Sequence, residues 1–171
     1  MAVNRHKKHL VVFVEDKPYS DILNGVQMVH NINMDVIDVK SPCGGWTKVF
    51  ESFEKNKKIL DKFPEAIILL IMDFDDKKED TESSFENRKN RFNELVEDKY
   101  KHRVFLLGTN HKESEDLKKI FSLSNFEAIG KILVEDCPNG NLANWNNKHL
   151  NCNLSEIDRM KKAGVFDWLF S

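Results

Sequence analysis

The sequence predicts an α/β fold: a central, mostly parallel sheet of about four strands flanked by helices, with a helical carboxyl-terminal extension. Three observations predict it. Ala66 to Met72 is built only of Ala, Ile, Leu and Met, an apolar run that suits a strand covered on both faces. Short apolar runs alternate along the chain with stretches of helical spacing, the order that gives parallel strands joined by crossover helices. Carboxylates follow directly on two of the apolar runs, at the sheet edge where open α/β folds bind ligands.

Taken in order, Leu10 to Val14 is the first strand, and Tyr19 to Val26 opens a helix behind Pro18, whose fixed φ suits a helix start. Met34 to Val39 alternates apolar and polar residues and reads as a short second strand. Ser41-Pro42-Cys43-Gly44-Gly45 is a tight turn, and Trp46, Val49, Phe50, Phe53 and Leu60 mark a helix over 46–60. The third strand follows at Ala66. A charged stretch over 77–82 leads to a helix over 84–98, and Val104 to Leu107 is a fourth buried strand ending at Gly108-Thr109. Glu113 to Phe121 and Phe126 to Val134 are helical. The Asn-rich stretch 139–153 lacks periodicity and reads as a loop. Leu154 to Phe170 closes the chain as an apolar-faced helical segment, with Glu156 and Asp158 early in it as capping acids.

The 171 residues suit a single domain, with a core over about 9–121 and an extension over 122–171. Hydrophobic content of 40% and charged content of 32% describe a globular protein with a well-charged exterior. A formal charge of −2 gives no overall attraction to polyanions, although basic clusters occur at 5–9, 55–58, 88–91 and 99–103. The plainer reading of each cluster is a solvated face. No apolar run is long enough for a membrane span, and Leu10 to Val14 is too short for a signal core and ends in acid. A cytoplasmic location is expected, consistent with three unevenly spaced cysteines, Cys43, Cys137 and Cys152, as reduced thiols.

Glu15 and Asp16 close the first strand, and Asp73, Asp75 and Asp76 close the third. If both strands are parallel and central, these acids face one crevice although they lie far apart in the chain. Crowded carboxylates repel one another unless a proton or cation sits among them. A hard divalent ion wants such oxygen ligands, and the combination suits phosphoryl transfer.

Val12-Phe13-Val14-Glu15, the Gly44-Gly45-Trp46 turn and Ile71-Met72-Asp73-Phe74-Asp75 together resemble the toprim domain, shared by topoisomerases, primases and nucleases of the overcoming-lysogenization-defect type. The resemblance covers about 9–121. It implies Mg²⁺ or Mn²⁺ held by Asp73 and Asp75 with Asp76 alongside, Glu15 as ligand or general acid/base, and a further carboxylate from Glu113 or Glu115. It also implies phosphodiester cleavage of nucleic acid, DNA ahead of RNA, with a partner ATPase and a place in antiviral defence. The chain departs from the pattern at Asp16, where toprim domains often have Gly, and at Tyr19, where they often have an acid; Asp21 is the substitute one turn on. Lys17, Lys48, Lys77 and Lys78 are candidates for meeting the phosphate backbone. No nucleotide-hydrolase phosphate loop occurs, so ATP turnover is not expected of this chain.

Rival readings use the same acids. A receiver-like domain would take Glu15, Asp16, a phospho-acceptor Asp73 and Thr109. A haloacid-dehalogenase-like phosphatase would take Asp73 as nucleophile, although that family carries its Asp-x-Asp on the first strand. A non-catalytic interaction module is the third. Cys137, His149 and Cys152 fall short of a closed zinc site, and Gly44-Gly45 offers backbone N–H groups to a phosphate or simply turns the chain.

Overall fold

Four parallel strands run side by side in a computed structural model that describes residues 2–74, 84–111 and 113–171. They are β1 (His9–Val14), β2 (Ile37–Val39), β3 (Ala66–Asp73) and β4 (Val104–Thr109), in the order β2-β1-β3-β4. The helices are α1 (Lys17–Gln27), α2 (Trp46–Asn56), α3 (Ile59–Lys62), α4 (Ser84–Leu95), α5 (Leu117–Phe121), α6 (Phe126–Asp136), α7 (Leu154–Lys162) and α8 (Val165–Leu169). The α/β class and the helical carboxyl-terminal part are as expected.

Both faces of the sheet are covered, which is why β1 from Leu10 and β3 from Ala66 are apolar at every position before their acids. Leu10, Val12, Val14, Ile67, Leu69 and Ile71 meet α1, α7 and α8 on one face. Val11, Phe13, Ile68, Leu70 and Met72 meet Val49, Phe50 and Phe53 of α2 and Phe92 of α4 on the other. Period-two alternation divides each strand between the two layers.

Several boundaries differ from the sequence expectation, each for a local reason. Residues 34–36 form a 3-10 turn, and strand pairing begins only at Ile37 opposite Leu10, the second residue of β1. The stretch 46–60 breaks after Asn56, where two successive i to i+3 bonds (Leu60 N–H to Lys57 O, 3.0 Å; Asp61 N–H to Lys58 O, 3.1 Å) tighten the chain and turn Leu60 into the core. The helix expected over 84–98 ends at Leu95, and 98–103 is a 3-10 stretch. Gly164, at φ +80°, splits the last segment into α7 and α8. The Asn-rich loop contains 3-10 turns at 137–139, 143–145 and 151–153.

Helices α1 and α6 touch backbone to backbone. A Cβ on Gly25 would stand 1.9 Å from Glu127 O, and one on Gly130 would stand 1.9 Å from Ile22 O. The two glycines make a reciprocal notch that no larger residue fits.

Strand β4 lies at the sheet edge, and the carboxyl-terminal part covers its outward backbone groups with side chains. Arg159 donates to Val104 O (2.6 Å), Leu106 N–H donates to Glu156 Oε2 (2.8 Å), and Gly108 N–H donates to Asn153 Oδ1 (2.9 Å). Asn153 Nδ2 returns a bond to Gly108 O (2.7 Å), and Asn110 N–H donates to His149 O (2.8 Å). The rung pattern 104, 106, 108, 110 is what a fifth strand would use, met here by residues of a turn and a helix. Glu156 therefore differs from the capping acid expected. Burial alone would raise its pKa, but Arg159, the Leu106 N–H and Lys89 outweigh burial and hold it below the ordinary range.

Two stability outcomes follow. Gly130→Ala is expected to lower stability by about 1–3 kcal/mol through overpacking against Ile22, read as a lower urea midpoint at unchanged slope. Asn153→Ala, which strands the buried Gly108 N–H and C=O, is expected to cost at least about 2 kcal/mol in the same measurement.

Candidate functional site: a buried carboxylate network at the carboxyl edge

Strands β1 and β3 pair from His9↔Ala66 to Val14↔Ile71, and β3 pairs with β4 up to Asp73↔Thr109. Parallel pairing in this register ends three strands at one level, so Glu15, Asp73 and Thr109 arrive at one edge. The Glu15 N–H donates to Ile71 O (3.0 Å), and the Asp73 N–H donates to Glu15 Oε2 (2.6 Å). The two acids that sequence reasoning singled out are thus joined directly.

Asp73 is the centre of a network that sequence reasoning did not foresee. Tyr19 Oη donates to Asp73 Oδ1 at 2.6 Å and stands 2.9 Å from Thr109 Oγ1. The Ser114 N–H donates to the same Oδ1 (3.0 Å), while Ser114 Oγ donates to Asp16 Oδ2 (3.1 Å). Tyr19, Thr109 and Ser114 are all buried. The Tyr that departs from the toprim pattern therefore grips the central Asp from the first turn of α1. Asp16 is half-buried and tied to Ser114.

The electrostatics follow from this crowding. Burial, then the charges of Glu15 and Asp16, push Asp73 up to about 7, against the Tyr19 and Ser114 hydrogen bonds. Burial likewise raises Glu15, with Asp16 and Glu113 adding to the rise and the Asp73 N–H and Arg88 opposing it. Burial raises Asp16, with the Ser114 hydroxyl opposing. Burial and the neighbouring Asp73 charge drive Tyr19 well above its ordinary value, so it stays a proton donor. The buried Arg88 guanidinium lies 3.7 Å from the centroid of the Trp46 ring.

Glu15 Oε1 and Asp73 Oδ2 have no hydrogen-bond partner among the described residues. Asp75, Asp76, Lys77 and Lys78 lie outside the described residues. Among those described, no three His, Cys, Asp or Glu side chains are grouped to hold a metal ion. Glu113 forms a reciprocal capping box with Asp116 rather than joining Asp73, and Glu115 is exposed. Asp21 pairs with Lys17 (2.8 Å). Lys48 is exposed on α2. Gly44, at φ +93°, donates its N–H to Glu15 O (2.8 Å), so that group serves the turn rather than a phosphate.

Cys137 and Cys152 pack in different core layers, and burial pushes each thiol up to about 12. His149 Nδ1 faces Asn110 O at 3.1 Å. Among the described residues no helix is long and apolar enough to cross a membrane.

Fold and site together define an α/β protein with an acidic carboxyl-edge crevice. No family model matches the chain, and no curated protein or solved structure gives a significant match.

The raised Asp73 has a stability consequence in metal-free buffer. A carboxyl whose folded pKa is about 7 against an ordinary 3.8 favours the folded state fully below about pH 4, and that contribution disappears as pH rises through 7. Asp73→Asn keeps the acceptor for Tyr19 and Ser114 without the charge. It is expected to be more stable than the parent by about 1–3 kcal/mol at pH 8 and no more stable at pH 4, by urea unfolding with EDTA present.

Proposed function

We propose that the protein is a toprim-type nuclease that cleaves phosphodiester bonds of nucleic acid, DNA ahead of RNA, with Mg²⁺ or Mn²⁺ bound at the carboxyl edge. One observation carries the reading: the Asp73 backbone N–H donates to Glu15 Oε2 at 2.6 Å in a half-buried crevice, with one carboxylate oxygen of each residue left unpartnered among the described residues. Two converging carboxylates suit Mg²⁺, which takes one or two such ligands and completes its shell with water and phosphate oxygen. The raised pKa values fit the same role, because the negative charge is unbalanced until a proton or cation arrives.

Glu15 Oε1 and Asp73 Oδ2 would hold the cation, with Asp75 and Asp76 following directly in sequence as further donors. The ion would supply charge stabilisation at the scissile phosphate and a more acidic bound water. Tyr19 and Ser114 fix the orientation of Asp73 by occupying Oδ1, which leaves Oδ2 directed by two anchors. Glu15, partly desolvated, is the group placed to take a proton. Targeting and triggering are assigned to a partner ATPase, with antiviral defence as the setting.

A receiver-like reading keeps one observation in its favour, the position of Thr109 beside Asp73 at the strand ends. Tyr19 stands between them, bonded to both.

Calorimetric titration with Mn²⁺ at pH 8 is expected to show binding that falls at least about tenfold in Glu15→Gln and Asp73→Asn. Plasmid or single-stranded DNA is expected to be cut only with the metal and not by Asp73→Asn. Absence of cation binding in the parent would overturn the proposal, and transfer of phosphate from acetyl phosphate to Asp73 would favour the receiver-like reading.

A further inference from the structure

The strands are all parallel, so the segments that enter β1, β3 and β4 must meet at the amino end of the sheet, opposite the acids. Contacts show that they do. The His6 ring lies 5.4 Å from the Phe63 ring, edge to face. Arg103 donates to Leu60 O (2.9 Å), Phe63 O (2.7 Å) and Ala66 O (3.0 Å). A groove of about 250 Å³ opens among Lys8, Glu65, His102, Arg103 and Trp168.

These entering segments carry most of the basic clusters in the sequence. Lys57, Lys99 and Lys101 are paired with Glu54, Glu97 and Asp98. Arg5, Lys7, Lys8, Lys55, Lys58 and Lys62 are exposed and have no ion-pair partner among the described residues. The carboxyl end presents Glu15, Asp16, Asp73, Glu113 and Glu115 instead. Asp61 and Glu65 also lie at the amino end, beside Arg103, but among the described residues the cations there outnumber them.

We propose that the amino-end face, centred on Arg5, Lys7, Lys8 and the groove beside His102 and Trp168, binds the phosphate backbone of single-stranded nucleic acid. The inference rests on the proposed function for the kind of polyanion and adds where the strand is held. A run of cations without ion-pair partners among the described residues, beside a partly exposed indole and an imidazole, is the combination that single strands use, phosphates on the charges and bases on the rings. Duplex fits poorly. A strand held at the amino end reaches the acids only by turning over a sheet about 25 Å tall. A duplex with a persistence length near 150 base pairs resists that bend. Without a cation the acid edge itself repels phosphate, so the first capture of substrate belongs at the other end.

The test is fluorescence anisotropy of a labelled single-stranded oligonucleotide with the full chain in EDTA, where cleavage and metal binding play no part. The parent is expected to bind with an affinity that falls steeply as salt rises. Lys7→Glu combined with Lys8→Glu is expected to weaken binding about tenfold or more and to flatten the salt slope. Both side chains are exposed, so its thermal unfolding should match the parent and loss of fold would not be confused with loss of grip. Lys119→Glu with Lys148→Glu, exposed and away from the amino end, is expected to bind like the parent. Unchanged binding by the Lys7/Lys8 variant would overturn the proposal, as would loss in the Lys119/Lys148 variant alone. Preference for duplex, or binding to anionic phospholipid vesicles but not to the oligonucleotide, would overturn it too. Intact binding in EDTA with no cleavage when metal is restored would count against the nuclease reading and leave this face standing.

Discussion

The in-register pairing of β1 with β3 is the constraint from which the site follows. Six successive partners, His9↔Ala66 to Val14↔Ile71, bring both strands to the edge together. Once Glu15 N–H is committed to Ile71 O, its carboxylate cannot avoid the next backbone group, the Asp73 N–H. The sheet thus forces together two acids that repel one another. Burial between α1 and the turn at Ser114 then leaves Asp73 with a pKa of about 7. Perturbed carboxylates of this kind cluster at functional sites, and structural ion networks produce them as well.

The second dependence runs from the far end of the chain. Without a neighbour, β4 would expose a row of unpaired N–H and C=O groups beside the site. Arg159, Glu156, Asn153 and the backbone of His149 occupy that row in turn, and each holds one alternate residue of β4. Gly108 is clamped on both its N–H and its C=O, so Thr109 and its partner Asp73 are held from the edge inward. The carboxyl-terminal helices are therefore part of the support of the acid crevice. Glu156 and Asp73 are instructive as a pair: both are carboxylates removed from water, yet one is lowered by Arg159 and Lys89 and the other raised among acids. The first is a structural clamp on β4, and the second sits among like charges.

What the sequence determined by itself was the set of local rules. Unbroken apolar runs marked β1, β3 and β4, and helical spacing marked α1, α2 and α6, because side-chain periodicity follows directly from backbone geometry. Acids placed directly after two such runs marked Glu15 and Asp73, since a parallel sheet sends every strand end to the same edge. Only the tertiary structure decided how those residues are partnered. Tyr19 lies 54 residues from Asp73 and 90 from Thr109, and nothing in local spacing announces a hydrogen bond across such a separation. Ser114, Asn153 and Glu156 looked like ordinary turn or capping residues, because a polar side chain that replaces a β-strand rung has no period of its own. Gly25 and Gly130 carried no helix-ending signal either. Their meaning is the distance between two backbones, a quantity that exists only once the chain has folded.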